Sequence, residues 1–68
     1  MIVELTAEYK KVTENEVYDF YIYHVRTTWY VYAVRKNDNE LGSMAGFTTK
    51  KVAVRCAHSW AEWMHGIN

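Results

Sequence analysis

The sequence predicts an α+β fold: a small antiparallel three- to four-stranded β-sheet packed on one face by a single C-terminal α-helix, in the order β-β-β-(β)-α. Three observations predict it. The chain opens with period-two alternation, continues with aromatic and β-branched runs separated by turn residues, and closes with an apolar stripe at helical spacing. Its 68 residues leave room for one domain, taken as residues 1–68. A domain of this size buries only about 60% of the surface its unfolded chain exposes, so every core residue counts.

In the first segment, 2–12, Val3, Leu5, Ala7 and Tyr9 fall on one side and Glu4, Thr6, Glu8 and Lys10 on the other. That is the pattern of a strand with one buried face. The polar run Thr13-Glu14-Asn15-Glu16 reads as a turn. Residues 17–26 and 29–36 are dominated by Val, Ile, Tyr, Phe and Trp, which fit a pleated, half-buried surface. Between 36 and 40, Lys-Asn-Asp-Asn-Glu supplies residues that tolerate the left-handed conformations of tight turns. A fourth strand over 41–46 is expected to be short and irregular, because Gly42 and Gly46 weaken it.

The spacing predicts a helix over 49–65. Thr48 is the expected N-cap, its hydroxyl accepting from a first-turn amide. Phe47 and Val52 are placed to form a hydrophobic staple, and Gly66 to end the helix. Ala53, Cys56, Ala57, Trp60, Trp63 and Met64 make the apolar stripe, while Arg55, His58, Ser59, Glu62 and His65 lie toward solvent.

A two-residue turn at Glu14-Asn15 pairs Val12 with Val17, Tyr9 with Phe20, Ala7 with Ile22 and Leu5 with His24. A similar turn at Arg26-Thr27 pairs His24 with Trp29, Ile22 with Val31 and Phe20 with Ala33. Both registers send the same set to the helix side, and a one-residue slip in either would break that agreement. Tyr21, Tyr23, Tyr30 and Tyr32 then share the opposite face, with Val25 and Val34 nearby, a margin of Glu4, Thr6, Glu8 and Lys10, and Asp19 placed against Lys10. One helix covers one side of a small sheet, and clusters of exposed aromatics mark interaction sites. The competing explanation is a solvated sheet surface stabilised by cross-strand tyrosine pairs.

Composition narrows the function classes. Half the residues are hydrophobic and 16% are aromatic, which excludes intrinsic disorder. Eight basic and eight acidic side chains give zero net charge, so general attraction to nucleic acid is small. A lone cysteine, Cys56, cannot form an internal disulfide or a cysteine-based zinc site. The N-terminus lacks the basic start and apolar run of a signal peptide, and no apolar stretch approaches the roughly 20 residues that span a bilayer. A cytoplasmic protein is expected. Beginning at Met with neither linker nor second domain, the chain reads as a complete small reading frame of the kind common among phage and plasmid accessory genes.

Catalytic chemistry finds little support. His58, Glu62 and His65 share a helix face at spacings of four and three, but the zinc-protease order of His followed directly by Glu is missing, and a solvated helix face explains them. Cys56 sits on the apolar stripe, where a thiol packs as a small hydrophobe. Ser59 has no nucleophile-elbow context. No nucleophile–base pair can be assembled, so no enzyme, metal or cofactor is expected. Lys50 and Lys51 oppose the helix dipole in the first turn, and with Arg55, Arg35 and Lys36 they form a second candidate patch.

From Trp29 to Trp63 the order strand, turn, Gly46-Phe47-Thr48-Thr49-Lys50-Lys51, helix loosely resembles three-strand-plus-helix DNA-binding modules such as the arm-binding domains of phage-type integrases. That resemblance implies a DNA-reading sheet rich in Arg and Lys, whereas this sheet is rich in Tyr. The leading expectation is therefore a non-enzymatic protein-binding module, a phage or mobile-element accessory protein that modulates a larger host complex in the host cytoplasm. Tyr21, Tyr23, Tyr30 and Tyr32 would form the contact centre, with Glu4, Glu8 and Asp19 setting partner choice; the partner is another protein or a second copy. The alternative is a nucleic-acid-binding module using Lys50, Lys51, Arg55, Arg35 and Lys36.

Overall fold

A computed structural model describes residues 9–64. Four antiparallel strands, β1 (Tyr9–Glu14), β2 (Tyr18–Val25), β3 (Thr28–Arg35) and β4 (Leu41–Phe47), lie side by side in sequence order, and helix α1 (Lys50–Trp63) packs on one face. This is the α+β arrangement the sequence predicts. The segment 2–8, with Val3, Glu4, Leu5, Ala7 and Glu8, lies outside the described residues, as do His65 and Gly66.

β2 and β3 pair in the predicted register, with Phe20 opposite Ala33, Ile22 opposite Val31 and His24 opposite Trp29. Arg26-Thr27 makes the two-residue turn, and Arg26 adopts a φ of 56°. Positive φ at the first central residue suits the right-handed twist of the flanking strands. For a residue with a Cβ it costs about 1–2 kcal/mol, which the pairing of eight residues on each side offsets.

The first hairpin departs from the predicted register. The Asn15 N–H donates to the Tyr18 carbonyl at 2.9 Å, so the turn is Glu16-Val17 rather than Glu14-Asn15. Thr13 and Glu14 belong to β1 and face Phe20 and Asp19. A bulge at Val12 then shifts the ladder by one residue, and Lys11 meets Tyr21, Lys10 meets Ile22 and Tyr9 meets Tyr23. The expected pairs Val12–Val17, Tyr9–Phe20 and Ala7–Ile22 are thereby replaced. The cause is tertiary: Asn15 Nδ2 donates to the carbonyls of Ala61 and Met64 at the end of α1, 2.9 Å each. Its Oδ1 accepts from the Val17 and Tyr18 N–H groups, also at 2.9 Å. One side chain thus fixes the turn and satisfies two carbonyls that a helix end leaves open.

β4 is a full strand that runs to Phe47, with Gly42 as an extra residue between the pairs Ala33–Ser43 and Val34–Leu41. A Cβ on Gly42 would lie 2.8 Å from Tyr18 Cε1, so a larger residue in this bulge would displace the Tyr18 ring. The turn before β4 is closed by Asn39, at φ 60°, whose N–H donates to the Arg35 carbonyl. Asp38 accepts from Arg35 Nε and Nη2 at 3.0 Å each and from the Glu40 N–H at 3.2 Å.

Helix α1 is capped by Thr49, one residue later than predicted, with its Oγ1 accepting from the Val52 N–H at 3.3 Å. The staple positions become Thr48 and Ala53, so the expected Phe47–Val52 staple is replaced: Val52 is exposed and Phe47 packs against the core. At the other end Met64 is the cap, its N–H donating to the Trp60 carbonyl at 2.7 Å. Phe20, Ile22, Val31, Ala33, Ala53 and Ala57 form the buried core. The two buried alanines stand one turn apart, so the helix presents its smallest side chains to the sheet. Val12, Tyr18, Trp29, Trp60 and Met64 close the sides. Trp63, at 63% exposure, turns away from the stripe it belongs to in sequence.

Candidate functional site

The second face of the sheet is built by alternation. Every residue that neighbours a core position along β2 and β3 must point the other way, which collects Asp19, Tyr21, Tyr23 and Val25 from β2 and Tyr30, Tyr32 and Val34 from β3. Opposed in the ladder, Tyr21 and Tyr32 stack with ring centroids 5.5 Å apart, and Tyr23 and Tyr30 with centroids 5.3 Å apart. Diagonally, Tyr23 meets Tyr32 edge-on at 5.5 Å. Offset and T-shaped contacts of this kind suit the ring quadrupoles, so the rings form one continuous platform. All four are half-buried.

β4 extends the platform with residues that the sequence pattern does not single out. Val34 faces Leu41 and Tyr32 faces Met44, and these two side chains are 58% and 48% exposed. A signal exists in the alternation Ser43-Met44-Ala45, but the glycines on either side weaken the case for a long strand. Tyr30 lies across from Gly46, where a Cβ would sit 3.3 Å from its Cε1. The ring therefore covers bare backbone, a device that compensates a strand glycine.

The charged margin differs from expectation. Asp19 meets Lys11, not Lys10, with Lys11 Nζ 3.3 Å from a solvent-shielded Oδ1, a contact too poorly aligned to count as a hydrogen bond. Lys11 also reaches Glu14 at 3.1 Å, and Lys36 reaches the same Glu14 oxygen at 2.9 Å. The hydrogen bonds from Lys36 and then Lys11 hold the Glu14 carboxyl down at about 2. Glu14, in turn, with Asp19, raises the Lys11 ammonium above its ordinary value. Glu4 and Glu8, expected beside this face, lie outside the described residues.

The five basic residues of the alternative site do not share a surface. Arg35 and Lys36 follow the end of β3, whereas Lys50 follows Phe47, which pairs with Trp29 at the start of β3. At about 3.3 Å per residue the two groups stand roughly 20 Å apart along the strand. Arg35 is engaged by Asp38 and Lys36 by Glu14. Lys50, Lys51 and Arg55 are exposed and make no ion pair among the described residues. Lys50 Nζ lies 5.7 Å from the Trp29 ring centroid, and that ring stacks on His24 at 4.0 Å.

Chemistry-bearing side chains elsewhere are dispersed. His58 and Glu62 are exposed on α1. Among the described residues no three His, Cys, Asp or Glu side chains come together as metal ligands would. Cys56 packs against the core, and burial pushes its thiol up, away from the thiolate. Among the described residues no helix is long and apolar enough to cross a membrane.

No protein-family model matches the sequence, and it matches neither a curated protein nor a solved structure.

Proposed function

We propose that the chain is a small non-enzymatic protein-binding module whose contact surface is the tyrosine face of the sheet. One observation carries the reading. With the core complete on the helix side, a continuous strip of half-exposed rings, Tyr23 and Tyr30 at its centre, is flanked by exposed Val25, Leu41 and Met44. Tyrosine gives large contact area with few rotors to freeze, and methionine adapts to an irregular partner surface. Within the described margin Asp19 and Glu14 are matched by Lys11 and Lys36, so a partner meets balanced charge there and an apolar centre. In the setting expected for such a chain, the partner is a component of a larger host complex.

The test is affinity capture with the wild-type chain and with Tyr23→Ser/Tyr30→Ser. Loss of the captured protein in the double variant, with unchanged far-UV circular dichroism, supports the reading. Equal capture by both chains would refute it.

A second reading, nucleic-acid binding, is favoured by Lys50, Lys51 and Arg55, exposed without an ion pair among the described residues, with Lys50 lying over the Trp29 ring that stacks on His24. Arg35 and Lys36 fall outside it. Binding to short single-stranded DNA that drops steeply with salt would support this alternative; absence of binding at low salt would remove it.

A further inference from the structure

The two edges of the sheet are unlike. β1 is charged, with Lys10, Lys11 and Glu14, and is kinked by the bulge at Val12. Charge and bulges are the means by which proteins keep an edge from pairing. β4 reads Leu-Gly-Ser-Met-Ala-Gly-Phe, with no charge and no proline. Beyond the Gly42 bulge, Ser43–Phe47 pairs regularly with β3, and among the described residues no strand lies on its outer side.

The direction of its free backbone groups follows from the neighbouring hairpin. The two-residue turn makes Val25–Thr28 a hydrogen-bonded pair, and such pairs alternate along an antiparallel ladder. Tyr30 therefore bonds toward β2 and Val31 toward β4, which turns the N–H and C=O of Ala45 inward and those of Met44 and Gly46 outward.

We propose that this edge pairs with itself: β4 of a second copy adds antiparallel about a two-fold axis at Ala45, joining two four-stranded sheets into one of eight. In that register Met44 and the partner's Gly46 exchange both backbone hydrogen bonds, and the symmetric pair does the same. Ala45 meets the partner's Ala45 as the close, non-hydrogen-bonded pair, where a small side chain fits. Faces agree as well. Met44 enters the space beside the partner's Gly46 and the partner's Tyr30, a sulfur–aromatic contact, while Ser43 faces the partner's Phe47 on the helix side. No like charges are opposed, because the strand has none. Addition to β1 of another copy would instead set a regular uncharged strand against a bulged charged one and would propagate without closing. The pairing uses the outward backbone groups of β4 and borders the tyrosine face at Met44 and Tyr30, but it does not require the Tyr21 and Tyr23 rings.

Sedimentation equilibrium of the full chain tests the proposal. The wild type is expected to form dimers as concentration rises. Met44→Pro removes an N–H that β3 does not use, so the variant should stay folded and become monomeric. Met44→Lys gives the same readout should proline disturb the strand. Tyr23→Ser should stay dimeric, which separates this edge from the tyrosine-face reading. In a Cys56→Ser background, Ala45→Cys should cross-link across the axis on mild oxidation, whereas Ser43→Cys should not. A wild type that stays monomeric at millimolar concentration would overturn the proposal. So would folded Met44→Lys dimers, or cross-linking through position 43 in preference to 45.

Discussion

The two hairpins that share β2 are organised in different ways. β2–β3 is specified by its own residues, with eight consecutive pairs, a two-residue turn and stacked tyrosines directly opposite one another. β1–β2 is bulged, and its turn is held by Asn15 reaching the end of α1. The two hairpins therefore depend on the rest of the chain to different degrees. The second hairpin needs only its neighbours across the ladder, whereas the first takes its geometry from a helix that forms far downstream.

The largest expected effect breaks that dependence. Asn15→Asp removes both donors to the Ala61 and Met64 carbonyls and sets a carboxylate against a helix C-terminus, where the dipole is also negative. A loss of about 3 kcal/mol is expected from two orphaned acceptors and the misplaced charge. In a domain of this size that is a large share of the total stability. Urea denaturation should show the midpoint fall, with Asn15→Ala falling less.

Next in size, a double-mutant cycle on Tyr23 and Tyr30 sharpens the other side of the comparison. The stacked pair should show a coupling of about 0.5–1.5 kcal/mol. Coupling larger than the Asn15→Asp loss would reverse the ranking of local and tertiary control. Arg26→Gly should raise stability by about 1 kcal/mol, because glycine adopts the positive φ of that turn without a Cβ penalty. A loss instead would mean that the Arg26 side chain contributes more than its backbone costs.

The smallest effect is electrostatic and belongs to the first hairpin. Glu14 titrates near 2 in the folded chain, against an ordinary 4.5. A carboxyl depressed on folding adds stability that is fully present above its unfolded value and is lost as pH falls through the folded value. The Glu14 contribution should therefore fade between about pH 5 and pH 2. Being on the exposed surface, it should also shrink with added salt. Glu14→Gln should flatten that part of the pH–stability profile without altering the neutral-pH fold.

Legibility in the sequence tracks the same division. The pairs Phe20–Ala33, Ile22–Val31 and His24–Trp29 are readable because alternation and turn length constrain one another within eighteen positions. The tyrosine face follows from them by alternation alone. The first turn is not readable. Asn15 looks like one more polar turn residue, and nothing local reveals that its amide bonds a carbonyl 46 residues away. The basic set is divided for a related reason: Arg35 and Lys36 are close to Lys50 in sequence, but they lie at the opposite end of β3.

By itself, then, the sequence determined the element order, the helix stripe, the register of the central hairpin and the two unlike faces of β2 and β3. These rest on periodicity and on pairing between neighbours, both of which are properties of short stretches. The turn and bulge of β1, the Lys36–Glu14 and Lys11–Asp19 contacts at the margin and the place of Met44 and Leu41 on the tyrosine face came from tertiary packing. Each of those depends on where a distant element comes to rest, because a hydrogen bond or an ion pair is satisfied by whichever partner packing brings within about 3 Å.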